Sequence, residues 1–430
     1  MNLQLLKLLL IFANPKITGV PLRTLAQLRR QGKKRVPNDV DRELSHYSGL
    51  KTLRLARRWL NSENITRHNG KWMLNSFLPP FPSPAFDRMF ENLLSGRRLS
   101  PVSAFLAVTA ECPFNCAHCS VKHRKTGYLS TAQWRCTLDA LHQHGVSIVG
   151  FTGGEPLMRP DLCTLINEAA ERDMTTILFS SGAGLDAAMA EKLKAAGLWS
   201  VCISLDNSNH EEFNRFRGGK NAYATAVTAL RLAVENGFYT MIGSLGNRPF
   251  VEGREFEPLH ALAAALGVHE LRIVEPMPCG RLKDAPKDSL LEETHIAALR
   301  EFHQAVNQRG GKPKVCAFNH IESPELFGCG GGTQHLYIDS AGEVCPCDFT
   351  PMSFGNIAHE EFAAIWKRMT DAMGNPRRHC FIRKHHREIN ALVNSSGEYP
   401  LSPQLSCRLC GEVEKEDFPD YFQMVTGRKH

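Results

Sequence analysis

Residues 104–119 read AFLAVTAECPFNCAHC. The first seven, Ala104–Ala110, form an apolar run of strand length. Three cysteines follow almost at once: Cys112, Cys116 and Cys119. A disulfide framework or a structural zinc site pairs its thiols off, and this triplet leaves one position unfilled. Spaced C-x3-C-x2-C on one loop, three thiolates can hold three corners of a cubane 4Fe–4S cluster. An open fourth position is the mark of a catalytic rather than a structural metal site. A zinc reading needs a second C-x2-C knuckle within finger distance, and none lies there.

Working outward, the run at 104–110 is the first of six. VSIVGFT (146–152), TTILFS (175–180), WSVCISL (199–205), FYTMIGS (238–244) and HELRIVE (269–275) follow. Helix-like stretches such as DLCTLINEAAERD and AYATAVTALRLAVENG separate them. Several of these end in Gly after the last apolar position, a common helix stop. Continuous apolar strands alternating with amphipathic helices imply parallel β/α units. The fold class is therefore α/β, a partial (β/α)6 TIM-like barrel over 100–312. Such a barrel carries its chemistry at the C-terminal ends of its strands, where the triplet falls. Ahead of it, residues 1–84 read as a mostly helical, basic N-terminal segment ending at the proline-rich LPPFPSP. Residues 315–430 read as a small cysteine-rich C-terminal domain with a strand pair at HLYIDSAGEV.

Of 430 residues, 43% are hydrophobic and 22% charged, an ordinary globular balance. Fourteen cysteines are many, yet the opening MNLQLLKLLLIFANPK has no charged n-region or small-residue cleavage site. Its apolar run is too short to span a bilayer. The expectation is a cytoplasmic protein with reduced thiols. The net charge of +7 sits at the start, where thirteen Lys/Arg of residues 1–60 face Asp39, Asp41 and Glu43. A Leu-rich stretch with a basic flank resembles an interfacial helix. It allows peripheral membrane association, and packing of the same helices on the barrel serves equally well.

CPFNCAHC after a first strand resembles the cluster motif of the radical S-adenosylmethionine superfamily. FTGGEPL (151–157) resembles that family's GGE motif, and ISLDNSNHEEFNRFRG (203–218) its fourth-strand segment. The likeness covers residues 100–310. It implies a 4Fe–4S cluster on Cys112, Cys116 and Cys119, with S-adenosylmethionine on the open iron. Reductive cleavage would give a 5′-deoxyadenosyl radical that takes a hydrogen atom from an unactivated carbon. Cofactor-binding residues carried over are Gly153, Gly154 and Glu155 at the methionine end, and Ser204 and Asp206 at the fourth strand's end. Arg215 or Arg217 would pair with a carboxylate. His118 stands where the family often has Tyr or Phe, near the adenine. An external electron donor such as flavodoxin or ferredoxin is implied as a partner.

A second set begins at Cys329. CGGGTQHLYIDSAGEVCPCDF and the later SFGNIAHEEFAAIW resemble the start of the family's SPASM and twitch auxiliary domains. The dense C-x2-C-x5-C-x3-C block of a full SPASM domain is missing, which leaves thiols for one closed cluster. The implied set is Cys329, Cys347, Cys407 and Cys410, holding an auxiliary 4Fe–4S cluster. Cys380, Cys345 and Cys316 are rivals, and a zinc site stays open as an alternative. Cys136, Cys163 and Cys202 read as packing residues. Cys279, after the sixth strand, is a candidate radical or hydrogen donor, although packing explains it as well. The basic run RHCFIRKHHRE (378–388) reads as surface, or as a cover for the auxiliary cluster.

Relatives of this architecture either mature ribosomal peptides, by thioether formation, crosslinking or epimerisation, or oxidise a small molecule or lipid. The thiol count leans to the second group. No winged-helix leader-binding pattern is evident in residues 1–77. A non-catalytic metal scaffold and a nucleic-acid binder are the distant alternatives, and the intact GGE motif argues against both.

Overall fold

The computed structural model of the protein describes residues 59–94, 100–286 and 289–426. The membrane-contact reading of the N-terminal segment falls on residues 1–58 and lies outside them. Six strands form the expected parallel series: β3 (Ser103–Thr109), β4 (Ile148–Gly153), β5 (Thr175–Ser180), β6 (Ser200–Ser204), β7 (Tyr239–Leu245) and β8 (Glu270–Val274). A helix lies in each crossover. Alternation along the strands separates two faces. Leu106, Val149, Leu178, Ile203, Ile242 and Leu271 are fully buried beneath the helices. Ile148, Ile177, Cys202, Tyr239 and Met241 point the other way, into the barrel.

The sheet does not stop at six strands. β9 (Lys314–Ala317) pairs parallel with β8. At the opposite edge β10 (His335–Ile338) pairs parallel with β3, and β11 (Val344–Cys345) returns antiparallel on β10. The nine-stranded order is β11-β10-β3-β4-β5-β6-β7-β8-β9. The boundary expected at 312–315 is thus a change of composition and not a break in the sheet. Hydrogen bonding along β3 is satisfied by a strand from the C-terminal segment, which seats the second cysteine set beside the first.

The segment before the barrel also differs from expectation. Residues 66–73 are a hairpin of β1 (Thr66–His68) and β2 (Lys71–Met73), where helix was expected. Its turn is Asn69–Gly70, both at positive φ, as a tight two-residue hairpin loop requires. The hairpin closes the barrel floor. Met73 joins the inward apolar cluster. Lys314 Nζ donates to the Met73 and Leu74 carbonyls, each at 2.9 Å. Glu270, fully buried, accepts from Tyr239 Oη at 2.9 Å and from the Ser76 N–H at 3.3 Å. Burial raises the Glu63 carboxyl to about 8, against the pull of Lys314. The C-terminal ends of the parallel strands β3 to β10 are left facing the other way.

Candidate functional site

The triplet loop is gripped from one side by the helix His210–Arg217. Asn115 and Ala117 donate their N–H groups to the Arg217 and Phe216 carbonyls, at 3.2 and 3.0 Å. That helix ends at Gly218 in the left-handed region, at φ 67°, where a Cβ would meet the Asn115 carbonyl at 2.9 Å. Phe213 and Arg217, one turn apart, are its buried residues. Arg217 donates through Nε to Asp206 Oδ2 at 2.7 Å and reaches Cys116 Sγ at 3.8 Å through Nη1. Asp206 also accepts the Leu245 N–H at 2.9 Å. Its carboxylate is therefore committed to the protein, and its charge acts through Arg217 on the Cys116 thiol. Arg215 lies on the exposed face of the same helix.

His118 stacks on Phe216, with ring centroids 4.5 Å apart and planes 14° apart. Burial and the nearby Arg217 hold its imidazolium down to about 4, so the ring is neutral at physiological pH. Its buried Nδ1 has no hydrogen-bond partner among the described residues. Cys112 is exposed, and Cys116 and Cys119 are half-buried. Partial burial pushes the Cys112 thiol up to about 11, helped by repulsion from Cys116 and Glu155. Burial likewise pushes Cys116 up, against the pull of Arg217.

The GGE residues clamp the same loop from below. The Gly154 N–H donates to the Thr109 carbonyl at 2.8 Å, and the Glu155 N–H to the Glu111 carbonyl at 2.6 Å. A Cβ on Gly154 would stand 2.1 Å from the Glu111 carbonyl oxygen, and one on Gly153 2.2 Å from that of Thr109. Both glycines are needed because backbone meets backbone there. Glu155 is fully buried. It accepts from Ser180 Oγ at 2.7 Å, from the Ser181 N–H at 2.8 Å and from the Leu157 N–H at 3.2 Å. Its carboxylate ties β4's end to β5's end and is already spoken for. Ser204, the last residue of β6, is half-buried. Cys279 is buried, with its thiol pushed far up by desolvation. Its neighbour Gly280 sits so near Cys119 that a Cβ would meet the Cys119 carbonyl at 2.2 Å.

The auxiliary thiols gather differently. Cys329, Cys347 and Cys380 are neighbours: Cys380 donates to Cys329, and a Cβ on Gly331 would touch both Cys329 Sγ and the Cys347 side chain. The Cys380 hydrogen bond, the N–H groups of Phe381 and Gly331, and the Arg377 charge draw the Cys329 thiol below its ordinary range. Cys410 and Cys407 lie on the helix Pro403–Glu412. Cys410 Sγ contacts Met373 Sδ at 3.7 Å, and Arg377 is near enough to act on both Cys410 and Cys329. The structure thus brings the rival Cys380 into the set and puts the CRLC pair on its flank. Cys345 is held instead by Arg124, at 3.2 Å. Cys316 faces the floor group of Glu270, Glu63 and Lys314. The basic run has acidic partners: Arg383 pairs with Glu275, Lys384 with Glu416 and Arg378 with Asp420.

The two sets are joined. Arg124, five residues past Cys119, donates to Cys345 Sγ and, at 3.1 Å, to the Asp348 carbonyl. It also stands 4.8 Å over the Tyr337 ring. The Gly280 N–H donates to Tyr399 Oη at 2.8 Å. Sequence spacing gave no sign of Arg124, because its partners are some 220 residues away.

Among the described residues no three His, Cys, Asp or Glu side chains converge to grip a single metal ion. A cubane spreads its thiolates over separate irons, so a cluster site needs no such convergence on one ion. Arg217 stands beside Cys116 and the Arg377 charge acts on Cys329, and in each place a positive charge favours thiolate over thiol. Residues 106–262 match the Radical SAM superfamily, and residues 329–391 match its iron–sulfur cluster-binding domain, SPASM. The PqqA peptide cyclase of Gluconobacter oxydans is 30% identical over 302 residues, 65% of this chain and 82% of that protein. The AdoMet-dependent heme synthase of Methanosarcina barkeri is 26% identical over 282 residues, 60% and 80% of the two chains. Among solved structures, Streptococcus suis SuiB bound to S-adenosylmethionine superposes with a TM-score of 0.52 at 15% identity, covering 62% of this chain and 65% of that one. The AdoMet-bound anSMEcpe superposes with 0.51 at 16%, covering 62% and 80%. These two share the fold. The chain belongs to the radical S-adenosylmethionine superfamily: it is an enzyme of the SPASM-bearing kind, built for a 4Fe–4S cluster with S-adenosylmethionine and for auxiliary iron–sulfur chemistry.

Proposed function

We propose that the protein oxidises its substrate by hydrogen abstraction in the barrel lumen, with the auxiliary site taking up the second electron. The observation that carries this reading is the Arg124 bridge, which fastens the Cys119 loop to Cys345 and Asp348 on either side of Cys347. A substrate at the barrel mouth is then within reach of both sites. When bound, the cluster and S-adenosylmethionine together supply a 5′-deoxyadenosyl radical.

Cys112, Cys116 and Cys119 hold the first cluster. Arg217, neutralised in part by Asp206, donates toward Cys116 and stabilises its thiolate. Gly153 and Gly154 admit the loop, and Glu155 fixes the β4–β5 edge under the methionine end. Ser204 offers a hydroxyl there, exposed Arg215 can meet an incoming carboxylate, and the His118–Phe216 stack presents a flat neutral face to the adenine. Cys329, Cys347 and Cys380 hold the auxiliary cluster, with Cys410 as the fourth thiolate and Cys407 behind it. Cys279 is buried, and its neighbour Gly280 lies against the Cys119 peptide. The N-terminal floor hairpin leaves the mouth as the route for substrate. A peptide substrate is the reading favoured by the PqqA peptide cyclase relative, 30% identical to this chain.

The test is anaerobic reconstitution with iron and sulfide, then S-adenosylmethionine and dithionite. 5′-Deoxyadenosine is expected from the wild type, and none above background from Cys116→Ala. A wild type that carries the triplet cluster yet makes no 5′-deoxyadenosine would end this reading.

A further inference from the structure

Four arginines among the described residues are buried: Arg124, Arg159, Arg217 and Arg272. Three have carboxylate partners, Asp339, Asp161 and Asp206 respectively. Arg272 has none, although it is only 4% exposed. A single hydrogen bond, from Nη1 to Ser76 Oγ at 3.1 Å, uses one of its five N–H donors. The remainder of the guanidinium lies over three aromatic rings: Phe77 at 4.7 Å, Phe179 at 5.4 Å and Phe318 at 5.8 Å. A buried cation without a counter-ion is costly, and proteins normally pair it.

Its position explains why a partner could come from outside. Arg272 stands in one register row with Ser204, through Gly243. Ser204 ends β6, and Arg272 stands two residues along β8 from the floor residue Glu270, so the row lies inside the lumen just above the floor. Phe77, Phe179 and Phe318, whose rings surround the guanidinium, are each half-buried, so part of each ring is left uncovered. Across the lumen the Arg272 charge acts on His335 of β10 and on Glu322 and Asp348 beside the auxiliary thiols. None of these acids approaches to ion-pair distance.

We infer that Arg272 anchors a carboxylate carried by the substrate, whose apolar frame lies along the three phenylalanines. A planar guanidinium offers paired N–H groups in the geometry a carboxylate accepts. With that end fixed, the substrate's reacting carbon is held between the triplet loop above and the auxiliary loop to the side. The inference deepens the proposed function and rests on it for the word substrate.

The test uses full-length protein, reconstituted anaerobically, titrated calorimetrically with four probes. They are glutarate, the blocked tripeptide Ala-Glu-Ala, its Ala-Gln-Ala counterpart and S-adenosylmethionine. Wild type should bind a carboxylate probe, and the Gln tripeptide should bind about tenfold more weakly than the Glu one or not at all. Arg272→Gln should weaken the carboxylate probe about tenfold, and Arg272→Lys should recover part of that loss. Binding of glutarate alone assigns the carboxylate to a free small acid. Binding of the Glu tripeptide alone assigns it to an acidic side chain of a peptide. Both outcomes support the anchor. Equal binding of the Glu and Gln probes with no glutarate binding overturns it, and this comparison needs only wild-type protein. A tenfold loss of S-adenosylmethionine affinity in Arg272→Gln also overturns it, because the carboxylate would then be the cofactor's own. Production of 5′-deoxyadenosine by the wild type, measured separately, decides the proposed function. Arg272-dependent carboxylate binding without it would leave the anchor standing and remove the radical reading.

Discussion

The two cysteine sets of this barrel are built on opposite plans. Cys112, Cys116 and Cys119 sit on one loop, exposed or half-buried, with backbone contacts from β4 and from the helix His210–Arg217. Cys329, buried, and Cys347 and Cys380, half-buried, come from three separate segments; Cys380 hydrogen-bonds Cys329, Cys347 bonds the Thr350 hydroxyl, and backbone N–H groups meet all three. A site that must admit a cofactor keeps a side open. A site that only passes electrons can close around its cluster. The sheet makes the pairing of plans possible, because β10 and β11 carry the second set onto the free edge of β3.

The comparison can be broken in three places. The largest effect is expected at the buried Arg217–Asp206 ion pair beside the open set. Arg217→Met leaves Asp206 charged and buried, which costs roughly 3–5 kcal/mol of stability. Chemical denaturation of the cluster-free protein would measure it, and a loss below about 1 kcal/mol would mean that the pair does not hold the loop in place. Next comes the closed set. Cys380→Ala should lower iron by about half, since one of two 4Fe–4S clusters is lost. Cys407→Ala should lower it less, because its thiol is on the flank of the helix Pro403–Glu412. Equal losses in the two variants would return Cys407 to the ligand set on equal terms.

The smallest effect is in thiol reactivity of the cluster-free protein, where the thiolate is the nucleophile. With its proton held to about 11, Cys112 is mostly thiol at neutral pH. Its alkylation by iodoacetamide should therefore rise about tenfold per pH unit from 7 to 10. Cys329, drawn below its ordinary range, is already thiolate over the upper part of that interval. Its slow rate, limited by burial, should flatten there. Mass spectrometry of peptides alkylated across the series separates the two. Parallel slopes would show that the closed set does not share a proton.

Much of this was legible in the sequence. The triplet, the GGE turn and six strand–helix repeats all rest on local spacing, and the parallel barrel follows from them. What escaped rests on contacts that spacing does not carry. Arg215 and Arg217 are two residues apart in one helix and look equivalent. Only the one-turn phase shared by Phe213 and Arg217 puts the latter inside. Cys380 stands alone in a basic run, while CRLC has the spacing of a ligand pair, and tertiary packing favours the lone thiol. The Asn69–Gly70 hairpin carried its own turn signal, which the helical rhythm of the preceding residues obscured. In HELRIVE the alternation of Glu270 and Arg272 with Leu271 and Ile273 already divides polar lumen from apolar shell.

In this reading the open set alone meets S-adenosylmethionine. Electron paramagnetic resonance of two reduced variants tests it most directly. Cys380→Ala retains the triplet, and the triple variant Cys112→Ala/Cys116→Ala/Cys119→Ala retains only the auxiliary set. Adding S-adenosylmethionine should change the cluster spectrum of Cys380→Ala and leave that of the triple variant unaltered. A spectrum that shifts in the triple variant, or stays fixed in Cys380→Ala, would contradict the assignment of the open site.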